Sequence, residues 1–207
     1  ADNTEIADLL HNHGAKTGSS LKAEESIHHA VLIGNIEAVK QHLAAGTDVN
    51  AKDEYSGYTS LHHAANHGLN EIAKLLIKKG ANVNLKADFG YTPLMLATNT
   101  VIAELLIKNG ANVNATHQYV TGLHIAAGVG NRSVAEWFIA NGADVNAKDD
   151  NGNTPVDWID VDDVDSKEIV DLLRKHGAKP SDISIHQAVA EGDIEAVKRH
   201  LNAGTDV

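Results

Sequence analysis

One short phrase recurs along the chain. Gly46, Gly80, Gly110 and Gly142 open GTDVN, GANVN, GANVN and GADVN, Gly14 and Gly177 open GAK, and Gly204 opens GTDV. The spacings from Gly46 through Gly177 are 34, 30, 32 and 35 residues. A second phrase keeps step with it: TSLHHAA at Thr59, TPLMLA at Thr92, TGLHIAA at Thr121 and TPVDW at Thr154, with SIHHA at Ser26 and SIHQA at Ser184 as variants. Two phrases locked in register over six units confine the chain to a repeat architecture, in which each unit packs against its neighbours.

Each phrase has a physical reading. Thr92-Pro93 and Thr154-Pro155 are helix starts, because the hydroxyl caps free N–H groups and proline at the first helical position sacrifices no hydrogen bond. A short helix follows, and glycine ends it at Gly34, Gly68, Gly130 and Gly192. A second helix carries the apolar spacing of Ile72, Leu75 and Leu76, or of Val134, Trp137 and Phe138. The next glycine closes that helix, and Val-Asn leads into a polar, turn-rich stretch. Asn50, Asn84, Asn114 and Asn146 are read as turn residues there. The unit is helix, turn, helix, hairpin.

These residues resemble the ankyrin repeat, with its Thr-Pro-Leu-His start and a period of about 33 residues. GTDVNAKD, TPVDWI and the linker HGAKTGSSLKAEESIHHA look most like long bacterial ankyrin arrays. The resemblance implies an all-α solenoid of stacked helix-turn-helix units, with inner helices and hairpin fingers forming a concave face. The whole of 1–207 is expected to be one such domain: a partial repeat 1–16, a linker 17–25, repeats about 26–52, 53–86, 87–116, 117–148 and 149–179, a linker 180–183 and a partial repeat 184–207. Two units depart from the period and are expected to distort the stack locally. The one from Tyr91 to Asn114 is three residues short, with Asn99-Thr100 replacing the glycine turn; the one from Asn153 to Lys179 is two residues long.

The end of the chain restarts its beginning. EIADLLHNHGAK at Glu5 returns as EIVDLLRKHGAK at Glu168, and the SIHHA stretch at Ser26 returns at Ser184 with 18 of 24 residues identical. This points to a parent protein built from modules of several repeats, and the opening residue, Ala1, reads as a cut from something longer. The partial end repeats leave Ile6, Leu9 and Leu10, and Ile194, Val197 and Leu201, without a covering neighbour. Weak head-to-tail self-association of a mainly monomeric chain is the expectation, since such a contact does not close by symmetry.

Composition narrows function. A formal charge of −11 argues against a nucleic-acid surface and favours a partner with a basic one. There are no cysteines, hence no disulfide and no thiolate chemistry. No stretch approaches the roughly 20 apolar residues of a membrane span, and localisation stays open.

His28, His62, His124 and His186 share one slot of the repeat and invite a metal hypothesis. Stacked neighbours about 10 Å apart do not build a tetrahedral zinc site with ligands at about 2 Å, so hydrogen bonding to backbone or to a threonine hydroxyl is the stronger reading. The acidic run Asp157 to Asp165 lacks the glycine and the terminal glutamate of a calcium loop and reads as a solvated turn. With no nucleophile–base order, phosphate loop or apolar carboxylate pair, no enzyme activity, cofactor or metal is expected.

The aromatic residues carry the functional signal. Of eight, five fall in the hairpin stretches: Tyr55, Tyr58, Phe89, Tyr91 and Tyr119. Tyrosine suits recognition because it buries much area with few rotatable bonds. Tyr55, Phe89 and Tyr119 lie nearer the finger tips, whereas Tyr58 and Tyr91 suit partner contact and packing between fingers equally. His63, Leu96, Ile125 and Trp158 share the inner-helix position after the histidine slot and are expected on the concave floor. Trp137 and Phe138 are expected in the core. The leading function is a scaffold that binds another protein through finger tips and concave face. An inhibitor or immunity-type protein that blocks an enzyme, and a structural spacer within a longer array, are the alternatives.

Overall fold

The computed structural model describes residues 26–159 and 166–179, together with positions 192, 194, 197 and 198. Linker 17–25, His186, Asp160 to Asp165, the returning SIHQA stretch, and most of the terminal residues expected to associate head to tail lie outside the described residues.

Contacts group the chain into two compact units, 1–113 and 114–207. In the first, α1 (Ile27–Leu32) and α2 (Ile36–Ala44), then α3 (Ser60–Asn66) and α4 (Asn70–Lys78), form helix pairs; a 3-10 turn (Pro93–Leu96) pairs with α5 (Thr100–Lys108). In the second, β1 (Thr116–His117) and β2 (Val120–Thr121) form a small antiparallel hairpin. It leads into α6 (Gly122–Gly128) and α7 (Arg132–Ala140), and a second 3-10 turn (Pro155–Trp158) precedes α8 (Ser166–Lys175).

The expected glycine turns are present. Gly68 takes φ of 68° between α3 and α4, a left-handed conformation open to glycine at little cost. The short unit manages without one. Ala97 and Asn99 are extended there, and Asn99 Oδ1 accepts the Ile102 N–H at 3.0 Å, the same side-chain cap that Asn35 and Asn131 give their helices.

The cores are built from one helix face and from alanine. In the first unit Leu61, Ala64 and Ala65 of α3 meet Ile72, Ala73 and Leu76 of α4, all nearly inaccessible to water. Alanine at these contacts lets helix axes approach, and each buried leucine or isoleucine contributes about 2 kcal/mol. In the second unit Leu123, Ala126 and Ala127 meet Val134, Ala135 and Phe138. Trp137 departs from expectation. It is half-buried, edge-on to Phe138 at 5.7 Å, because neighbouring helical residues point about 100° apart and only Phe138 faces inward.

Both Thr-Pro starts also depart from expectation. Each yields a single 3-10 turn of four residues, where Thr59 and Thr121 start helices of seven. The residue three positions on also differs. His62 and His124 reach back to their threonines, whereas Met95 and Asp157 occupy that place in the short-turn units. Met95 offers no strong partner, and Thr92 Oγ1 is buried without one. Asp157 takes the histidine's place in the cap: it accepts from Thr154 N–H at 2.9 Å and from Thr154 Oγ1 at 2.8 Å.

The asparagines of the Val-Asn phrase do more than shape a turn; within each unit they join successive repeats. Asn50 Oδ1 accepts the Asn82 N–H at 2.8 Å, and Asn84 Oδ1 accepts the Asn112 N–H at 3.0 Å. In the second unit Asn114 and Asn146 accept from Asp144 and Lys179, and their amide groups donate to the Gly142 and Gly177 carbonyls. The amides of Asn84, Asn114 and Asn146 are satisfied at both ends, so these side chains are structural.

A size exchange marks α6. Phe138 occupies the helix position held by Leu76 and Leu106, and a β-carbon at Gly122 would collide with its ring. The other units place Ser60, Pro93 and Pro155 where Gly122 stands. Gly122→Pro, which restores the Thr-Pro start, is therefore expected to destabilise by about 1–3 kcal/mol through overpacking. Phe138→Leu in the same chain should recover much of that loss. Urea unfolding of the single and double variants checks the coupling, and additive effects would contradict it.

Candidate functional site

The finger before α3 is held from inside. Asp53 accepts the Tyr55 and Ser56 N–H groups at 3.0 and 2.7 Å and the Ser56 hydroxyl at 3.1 Å. Its second oxygen lies 2.8 Å from His63 Nε2, with both side chains only 12 % exposed. Burial alone would raise the Asp53 pKa, but the Ser56 amide, the His63 ring and the Tyr55 amide together hold it well below the usual carboxylate range. The last finger repeats the device. Asp149 accepts the Asn151 and Asn153 N–H groups, and Trp158 Nε1 donates to its Oδ2 at 2.9 Å. Those bonds outweigh burial and lower the Asp149 pKa.

Fingers without this aspartate lack that pin. Ala87 and His117 stand three residues past their asparagines, where the pinned fingers have Asp53 and Asp149. The matching inner-helix residues change in step: His63 and Trp158 can donate to a carboxylate, and Leu96 and Ile125 cannot.

Behind the fingers sit the buried imidazoles. His62 Nδ1 accepts the Thr59 N–H at 3.1 Å and lies 2.8 Å from Thr59 Oγ1, which leaves the proton on Nε2 to be donated to the Tyr91 carbonyl at 2.9 Å. His124 does the same with Thr121 and the Asn153 carbonyl. Burial drives the His62 pKa down to about 4, the Tyr91 carbonyl offsetting only part of it, and burial also lowers His124 and His63. His28 occupies the same slot and bonds the Ala51 carbonyl at 2.9 Å; Leu85 and Ala147, which likewise follow the Val-Asn phrase, are backbone partners of His62 and His124. Among the described residues no group of three or more histidines and carboxylates has metal-site geometry.

The residues singled out from sequence now separate. Tyr55, Phe89 and Tyr119 are 95, 61 and 67 % exposed, all at finger tips. Tyr58 is half-buried, stacked on His62 at 5.3 Å and edge-on to His63 at 5.4 Å, so packing occupies its faces. Burial raises its pKa, with Tyr91 and Asp53 adding to the shift. Tyr91 is half-buried, and its carbonyl receives His62. His63 and Trp158 spend their ring N–H groups on the finger aspartates, and Trp158 also meets His124 edge-on at 5.5 Å. Leu96 and Ile125 are half-buried. In the first unit Tyr55 and Phe89 stand on adjacent fingers joined by the Lys52–Asp88 pair at 3.1 Å and by Asp88 N–H to the Ser56 carbonyl.

Tyr119 was visible in sequence, but its backbone was not. Gln118 and Tyr119 have φ of 45° and 61° and form the two-residue turn between β1 and β2. Two positive-φ residues define a type I′ hairpin, normally Asn-Gly. The other fingers place Gly57, Gly90 and Gly152 in their left-handed positions. A bulky side chain held there costs about 1 kcal/mol or more.

Helix-turn-helix pairs joined by fingers and tied through asparagine define a repeat protein with an all-α solenoid fold. The family model described as ankyrin repeats (3 copies) matches residues 27–117, and that described as ankyrin repeats (many copies) matches residues 106–158. The chain belongs to the ankyrin-repeat family. Comparison with curated proteins gives no match. Among the described residues no helix is long and apolar enough to cross a membrane.

The histidines set a pH dependence. The unfolded chain protonates His62 near 6.5 and the folded chain near 4, so between those values the unfolded state binds more protons. Stability is therefore full above about pH 6.5 and falls as pH drops toward 4, by about 3 kcal/mol for His62. His63 and His124 act in the same direction. Urea unfolding at pH 7 and 4.5 should show the loss, while the lowered aspartates add theirs only at lower pH. Equal unfolding free energies at the two pH values would contradict buried neutral rings.

Proposed function

We propose that this chain binds a partner protein through the exposed aromatic tips of its fingers. Ankyrin repeats are generally protein–protein interaction modules, which supports the class of activity; the finer reading rests on this chain's residues. The observation that carries it is Tyr119. A tyrosine sits in a left-handed turn where glycine would be free of strain, and it leaves 67 % of its surface in water. Strain retained at an exposed aromatic points to a use for the side chain. Tyr55 and Phe89 give the first unit its own aromatic pair. The concave-floor residues are secondary, because His63 and Trp158 already serve the fingers. An inhibitor would use the same tips.

Gln118→Asn with Tyr119→Gly removes both the strain and the ring. It is expected to raise stability by about 1–2 kcal/mol and to weaken capture of the natural partner by about 2 kcal/mol or more, as loss of a hot spot does. Tyr55→Ala with Phe89→Ala should weaken capture while leaving thermal unfolding nearly unchanged. Thermal melts and affinity capture from the organism's own extract read both effects. Undiminished capture by both variants would sink the finger-tip reading.

A further inference from the structure

An open groove of about 590 Å³ lies between α1 and the first finger. Its apolar surface comes from Leu32 and Tyr55, with the rings of His28 and His29 beside them. Its charged groups are Lys52, Asp53 and Glu54. Three of the polar groups are already committed. Lys52 pairs with Asp88, Asp53 is saturated by two amides, a hydroxyl and His63, and His28 Nε2 bonds the Ala51 carbonyl. Glu54 remains: it is exposed and pairs with none of the described cations.

This inventory selects an occupant. An anionic group would meet Glu54 and Asp53, while Lys52 already pairs with Asp88. A wholly apolar side chain would strip water from Glu54 with nothing in return. A long aliphatic stem ending in a cation satisfies both surfaces, the stem on Leu32 and Tyr55 and the charge at Glu54. Guanidinium suits the place better than ammonium, because it is planar, stacks on an aromatic face, is weakly hydrated and binds a carboxylate with two parallel hydrogen bonds. The chain's charge of −11 favours a basic partner segment.

We infer that this groove receives an arginine side chain from an extended segment of the partner protein, stacked against Tyr55 and paired with Glu54. The inference rests on the partner-binding function proposed above and adds the chemistry that one finger recognises.

The test uses the full chain, labelled with 15N, and four capped tripeptides, acetyl-Leu-X-Leu-amide with X as Arg, Lys, Gln or Glu, plus free L-arginine. The Arg peptide should shift the amides of His29, Tyr55 and Ser56 saturably, with Kd on the order of 1 mM for so small a ligand. Lys should bind several-fold more weakly, and Gln and Glu should produce no saturable shift. Glu54→Gln should weaken the Arg peptide about tenfold, and Tyr55→Leu should weaken it while leaving the remaining spectrum in place. Equal binding of the Glu peptide, equal binding of free arginine, or Arg binding untouched by Glu54→Gln would overturn the inference. So would shifts at these amides that follow protein concentration without peptide, since a second copy would then be the occupant. Failure of all peptides, with natural capture still dependent on Phe89 and Tyr119, would reject the arginine groove and leave the finger-tip function standing.

Discussion

The fingers depend on a neutral imidazole buried behind them. His62 uses one ring nitrogen to close the start of its own helix and the other to hold the backbone of the next finger at Tyr91. A charged ring could not accept from Thr59, and a ring protonated on Nδ1 could not donate to Tyr91. The site therefore tolerates a single protonation state and a single tautomer. His124 imposes the same condition between Thr121 and Asn153. Where the histidine is missing the substitutes differ: Met95 leaves the Thr92 hydroxyl unsatisfied, whereas Asp157 takes over the bonds to the Thr154 amide and hydroxyl, and both inner segments are single 3-10 turns.

A frame fixed from within frees the outside. Asparagine side chains carry the joints between successive repeats of a unit, and aspartates at two fingers gather the tip amides, so the tips need no further support. Tyr55 can then stand almost wholly in water on a finger whose backbone is secured by Asp53. The same division explains why Tyr58, two residues before α3, is packed on His62 and His63 while Tyr55, three residues earlier, touches so little. Recognition chemistry collects where the frame makes no demand on side-chain identity, as Glu54 and Tyr55 illustrate beside the committed Lys52 and Asp53.

Most of the fold was legible in the sequence because glycine, threonine-capped helix starts and apolar spacing are local signals with one strong structural meaning each. The helix pairs and the exposed tips at Tyr55, Phe89 and Tyr119 followed from them. What escaped depends on pairs distant along the chain. The exchange of space between Gly122 and Phe138 spans 16 residues, and nothing near either one announces it. The link between Asp53 and His63, mirrored by Asp149 and Trp158, had a signal in the chain: an aspartate three residues after the asparagine coincides with a ring N–H donor on the following helix, and where alanine or histidine replaces it the donor becomes Leu96 or Ile125. Tyr119 hid its strain because φ is not written in residue type. The shortened segments after Thr92 and Thr154 were not legible because Thr-Pro favours a helix start and carries no sign of the extended backbone at Ala97 and Ile159 that ends each turn.

The protonation of His62 and His124 is open to direct observation. A long-range 1H–15N spectrum at pH 7 reports which ring nitrogen carries the proton. Neutral rings tying helix to finger require a bare Nδ1 and a protonated Nε2 at both residues, with the Nε2 proton slow to exchange. A protonated Nδ1, or an imidazolium at either site, would contradict the arrangement on which the fingers rest.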